Sequence, residues 1–180
     1  MRTARTITIL LTLWISLIGC GHRPTADLSR LESLWRHGDH QAALTEARAV
    51  IRRTAEANGV LVSELRARAH AIRERLSTEP IPPDDAIKSE STTPFPMTAG
   101  QLDKELQESL QNPEALVMIR SAVTVGELKL TRHSMGLLAM ITRPGPVRLK
   151  RPYPSLEEPM MAWLTSKQVA LDSLVQLSRR

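Results

Sequence analysis

Downstream of residue 27, apolar residues recur at helical spacing along most of the chain. Leu28, Leu31, Leu34 and Trp35 fall at i, i+3, i+6 and i+7, which places them on one stripe of an α-helix. Gly38 interrupts that stripe, and Asp39 follows it as a ready N-cap for a second helix. Ala42, Ala43, Ala47, Val50 and Ile51 carry the period on to an Asn58-Gly59 break. A third helix is expected from about Leu61 to Leu76. Leu61, Leu65, Ile72 and Leu76 lie on its apolar face with Ala69 between them, and Arg66, Arg73 and Arg75 lie on the other side.

The second half resumes near Thr98, which with Gln101 has the spacing of a capping box. Leu102, Leu106 and Leu110 then stack at i, i+4 and i+8, and Asn112-Pro113 ends that helix and opens the next with proline in the first position. From Ala115 to Leu130 the pattern is mixed. Val123, Val125, Leu128 and Leu130 alternate as in a strand, whereas Thr124 with Glu127 again has capping-box spacing, and the balance favours helix. Met135 to Ile141 is a dense apolar run, too short to span a bilayer. The last segment reads as a helix capped by Ser155 and Glu158. Leu156, Met160, Trp163, Leu171, Leu174 and Leu177 form one face, and Arg179 and Arg180 suit its C-terminus.

Two proline-rich stretches separate these patterns. Five of the 12 prolines fall between Ser77 and Met97 among Ser, Thr and acidic residues, a composition that blocks helix and sheet and reads as an interdomain linker. Arg143 to Pro159 is proline-rich too but basic. Its pre-extended backbone and its Arg143, Arg148, Lys150, Arg151 and Tyr153 side chains make it the best candidate for recognising a partner, with a plain helix-connecting loop as the alternative. The expected architecture is mainly α: a helical hairpin region over 28–76, a linker over 77–97, and a second small helical region over 98–180 with the basic loop at 143–159.

Charge and cysteine usage matter once the N-terminus is considered. Arg2 and Arg5 precede an apolar run from Ile7 to Ile18, broken only by Thr8, Thr12 and Ser16, which matches an export signal. The run ends in Leu17-Ile18-Gly19-Cys20, and Cys20 is the single cysteine of the chain. This stretch resembles the lipobox of bacterial lipoproteins. The small Gly19 would admit a signal peptidase, and the Cys20 thiol is the one side chain there that can take a thioether-linked diacylglycerol. The resemblance implies a signal peptide over 1–19, a tether over 20–27 and acylation at Cys20. Each buried methylene contributes about 0.8 kcal/mol, and two or more chains hold stably where one does not. In the sorting rule of such lipoproteins, Asp after the acylated cysteine retains the protein in the inner membrane. Gly21 stands there instead, so the periplasmic face of the outer membrane is expected. Losing Arg2 and Arg5 lowers the formal charge from +5 to +3, a weak field for an exported protein, and nucleic-acid binding loses its support.

Around Gly38 a second resemblance emerges. Leu34, Gly38, Asp39, Ala42, Ala43 and Leu44 look like the turn of a tetratricopeptide repeat, in which glycine ends one helix and small residues open the next. Such a turn implies a helical hairpin used for protein contacts, and a generic αα-hairpin gives the same spacing.

Candidate chemistry is sparse. His37 and His40 flank Gly38-Asp39 with His22 nearby, but three or four convergent ligands are needed for a metal, and a solvated turn explains them better. Ser134 beside His133 lacks a nucleophile-elbow context, and Asp84-Asp85 and Glu157-Glu158 read as solvating or dipole-complementing charges. No enzyme activity, cofactor or metal is expected. Residues 30 to 75 carry nine arginines against six acids, either a solvated face with pairs such as Glu32–Arg36 or a surface for anionic lipid or peptidoglycan. The expected partners are therefore membrane lipid through Cys20 and an envelope protein.

Overall fold

The computed structural model describes residues 24–78, 98–148, 156 and 158–179. The fold is mainly α. Helices account for 82% of the described residues, and no strand occurs among them. The elements are α1 (Pro24–Arg36), α2 (His40–Ala57), α3 (Val62–Thr78), α4 (Ala99–Gln111), α5 (Ala115–Glu127), a 3₁₀ turn (Thr131–His133), α6 (Ser134–Thr142) and α7 (Pro159–Ser178). Cys20, the proline-rich stretch from 79 to 97, Lys150, Arg151 and Tyr153 lie outside the described residues.

Local signals place most helix ends. At the end of α1, Gly38 has φ +80°, the Gly38 N–H donates to Trp35 O (3.1 Å) and the Asp39 N–H donates to Leu34 O (3.0 Å). That is a Schellman stop, with glycine supplying the left-handed residue without a Cβ penalty. The end of α2 repeats it: Gly59 has φ +68°, with the Gly59 and Val60 N–H groups bonded to Glu56 O and Ala55 O. Asp39 caps α2 through the Ala42 N–H, and Thr98 with Gln101 forms the full capping box at α4.

Several boundaries differ from the sequence expectation. α1 begins at Pro24, inside the expected tether, and α3 begins at Val62 and continues through Ser77 and Thr78. Leu61 is 70% exposed and not part of an apolar face. Glu114, not Asn112 or Pro113, caps α5 by accepting from the Val117 N–H, so the proline precedes the helix. Thr124 and Glu127 sit in the last turn of α5 and cap nothing at its start. The third Schellman stop lies just beyond them, with Lys129 in the left-handed position (φ +52°) and the Leu130 N–H bonded to Val125 O. α7 starts at Pro159 with Glu158 in the cap position and no side-chain cap bond, while Ser155 falls outside the described residues.

The largest difference concerns α7. A one-faced amphipathic helix was expected, but all residues from Ala162 to Leu171 are buried, Thr165, Ser166, Lys167 and Gln168 included. A helix buried all round is a core helix. α2, α3, α5 and α6 pack around it, α1 covers α2 and α6, and α4 covers α5 and α6. A single apolar cluster thus runs from Leu31, Ile51 and Leu65 to Ile119, Leu138 and Leu174, joining the residues on both sides of the 79–97 stretch. α5 meets α7 closely at Gly126. A Cβ there would lie 2.9 Å from Ser173 Oγ and 3.0 Å from Ser173 Cβ on α7, so only glycine lets the two helices meet this closely.

α1 and α2 form the expected helical hairpin. A repeat stack would continue with α3 lying along α2, but α3 touches α2 only slightly and leans on α7 instead.

Candidate functional site

The corner between α6 and α7 contains the basic residue that the sequence singled out first. The apolar run Met135–Ile141 forms most of α6, and Pro144 forces Arg143 into an extended conformation that ends the helix. The last carbonyls of α6 then need donors. Lys167 Nζ donates to Ile141 O and to Arg143 O (2.7 Å), and Trp163 Nε1 donates to Arg143 O (3.1 Å). Trp163 and Lys167 are one helical turn apart on α7, and the ammonium lies 4.7 Å from the Trp163 ring centroid. Arg143 does the same for α4: its guanidinium donates to Asn112 O (2.8 Å) and Gln111 O (3.3 Å) and contacts Met118 Sδ. Two cations therefore sit on the negative ends of two helix dipoles.

Lys167 is only 2% exposed. Burial, reinforced by the neighbouring Arg143 charge, lowers its pKa from 10.5 to about 7. It forms one wall of a cleft of about 450 Å³ whose other walls include Arg143, Gly145 and Trp163 on one side and Asp27, Arg53 and Thr54 on the other. Among the described residues lining it, Asp27 is the only acid, and it is shared with Arg53 at 3.6 Å. Chemically the cleft is cationic with an aromatic wall, suited to holding an anionic group. Lys167 escaped the sequence reading. The available signal was its setting, since Lys167 and Asp172 are the only charged side chains in the twenty residues of α7.

The remaining expected site residues are dispersed. Arg148 is exposed, but its backbone is pinned: its N–H donates to Pro113 O (2.8 Å) and its carbonyl accepts from the Ala115 N–H (2.9 Å), an isolated parallel bridge to the start of α5. Val147 beside it is buried, so the start of the basic loop is docked on the body. Lys150, Arg151 and Tyr153 lie outside the described residues. His37 bonds to Ser33 O, Asp39 caps α2, and His40 stacks on Trp35 with ring centroids 4.4 Å apart, so the three do not converge. Among the described residues no cluster of three metal-ligating side chains is found. His133 faces Asp103 (3.1 Å), which also pairs with Arg132, and Ser134 is buried at the start of α6.

The arginine-rich face is partly neutralised. Arg36 pairs with Glu32 at 3.3 Å, Arg68 with Glu64 at 3.0 Å, Arg30 with Glu46 at 3.9 Å and Arg52 with Glu56 at 3.9 Å. Exposed pairs of this kind contribute little, from zero to about 1 kcal/mol each. Arg48, Arg66 and Arg73 have no carboxylate within ion-pair distance among the described residues, and their charges instead act on the half-buried Asp172. Burial raises the Asp172 pKa, while a hydrogen bond from Gln168 (2.9 Å) and these three arginines oppose that rise. Compared with protein-family models, with curated proteins and with solved structures, the chain matches none of them.

Proposed function

We propose that this chain is an outer-membrane lipoprotein. Cys20 holds it to the periplasmic leaflet, and it works through protein–protein contacts as an accessory or assembly factor of an envelope machine such as a secretion, pilus or conjugation apparatus. The observation that carries this reading is Leu17-Ile18-Gly19-Cys20 at the end of an apolar run that follows Arg2 and Arg5, with the chain's single cysteine in the lipid-accepting position. The helical body fits a positional role: the acyl chains set the place and the body presents a surface. No helix among the described residues is long and apolar enough to cross a membrane.

A second reading, attachment of the arginine-rich face to peptidoglycan or anionic lipid, is favoured by Arg48, Arg66 and Arg73, which have no carboxylate within ion-pair distance among the described residues. Such binding would fall steeply with salt.

The test is Cys20→Ser. The wild-type chain should incorporate labelled palmitate and sediment with outer membranes, and the variant should do neither. Unlabelled wild-type protein, or a variant that is still processed normally and still sediments, would remove the foundation of this reading.

A further inference from the structure

A groove of about 480 Å³ runs between α2 and α3 on the side of the molecule where these helices splay apart over α7. Its floor is apolar, with Ile51 from α2 and Leu171 from α7, and Val62 from α3 forms part of the wall. Arg48 and Arg52 flank it on α2 and Arg66 on α3, and Arg73 continues the Arg66 row two turns further on. Leu61, 70% exposed, immediately precedes Val62 at the α2–α3 turn. A recessed apolar floor, a rim on which Arg48 and Arg66 have no ion-pair partner among the described residues, and an exposed leucine next to Val62 call for the same complement: apolar side chains on one face and carboxylates on the edges.

We propose that this groove docks an acidic amphipathic segment of a partner protein, its apolar side chains resting on Ile51 and Leu171 and its carboxylates pairing with Arg48, Arg66 and Arg73. The inference rests on the accessory-factor reading above and names the surface and the partner chemistry that reading lacks. A flat headgroup layer fits less well. It meets the rim but cannot enter to cover the recessed apolar floor.

The experiment uses the full acylated chain in detergent and a labelled amphipathic peptide with leucines on one face and glutamates on the other. Binding should be measurable, weaken with added salt, and fall about tenfold or more in the Arg48→Glu/Arg66→Glu variant. Both arginines are exposed, so the variant should keep its circular dichroism, with the melting point lowered only by the loss of their attraction to Asp172. Leu61→Ser is the second probe and should weaken binding with the charges intact. Equal affinity for the charge-reversed variant, equal affinity for a peptide with lysine in place of glutamate, or no binding at all would overturn the proposal. So would recruitment to phosphatidylglycerol vesicles or isolated sacculi that needs Arg48 and Arg66 while the peptide is ignored. The two ideas are distinguishable: crosslinking from membranes that still captures one specific protein with the charge-reversed variant overturns the groove but leaves the accessory-factor reading standing, whereas a wild-type chain that captures none overturns that reading.

Discussion

Lys167 is a cation that the fold uses for geometry and tolerates electrostatically. Its ammonium satisfies the last carbonyls of α6, where an unpaired buried carbonyl would cost about 1–3 kcal/mol. Yet it is buried beside Arg143, which lowers its pKa to about 7. Between pH 7 and 10.5 the unfolded chain therefore binds a proton that the folded chain lacks, and stability rises with pH through that window. Below pH 7 both states are protonated and the full cost of burying the charge is felt. Urea unfolding at a series of pH values should show the wild type gaining up to about 1 kcal/mol per pH unit across the window relative to Lys167→Met. The variant removes this slope while losing the bond to Ile141 O. Parallel curves for the two proteins would mean that Lys167 does not titrate there.

At the level of elements, the helix stops divide by what residue occupies the left-handed position. Gly38 and Gly59 adopt positive φ freely, and both stops were legible as Gly38-Asp39 and Asn58-Gly59. Lys129 makes the same turn after α5 with a side chain, at φ +52°. A non-glycine residue there costs of order 1 kcal/mol, and the stop carried no sequence signal. Without it, Thr124 and Glu127 looked like the start of a helix when they are its last turn. Lys129→Gly is expected to stabilise the protein by up to about 1 kcal/mol. Part of the gain is offset by the extra freedom glycine has when unfolded, and the measurement is a rise in the urea midpoint with no change in slope. Lys129 is exposed, so no packing is lost with it. A lowered midpoint would show that the lysine side chain holds the turn.

On the scale of the whole molecule, α7 makes one cooperative unit of residues that the proline-rich stretch separates in sequence. α2 and α3 touch each other little and depend on α7 for their core contacts, while α5 and α6 pack on other parts of the same helix. Each fully buried leucine or isoleucine on these faces contributes about 1.5–3 kcal/mol, and that stabilisation vanishes for both sides together if α7 detaches. Trp35 on α1 and Trp163 on α7 are both buried and lie on either side of residues 79–97 in sequence. Unfolding followed through each, with the other replaced by phenylalanine, should give coincident midpoints. Separate transitions would mean that the parts on either side of residues 79–97 fold independently. The same splay that makes α2 and α3 depend on α7 also opens the arginine-rimmed groove, so core architecture and candidate docking surface have one cause.

The amino-acid order alone determined the helical class, the hairpin turn at Gly38, the caps at Asp39 and Thr98 and the break near Pro113. Each of these rests on backbone dihedrals and hydrogen bonds within about one helical turn. It also carried the Cys20 motif, which is a matter of local chemistry. Tertiary structure decided that α7 lies at the centre, that Arg143 turns inward to cap α4, and that Arg48 and Arg66 flank a groove with no ion-pair partner among the described residues. It also brought Lys167 to carbonyls 24 and 26 residues away. The physical reason is that burial and pairing depend on which helix faces meet in space. A helical period shows that a residue shares a face with its neighbours in sequence, but not which other element covers that face.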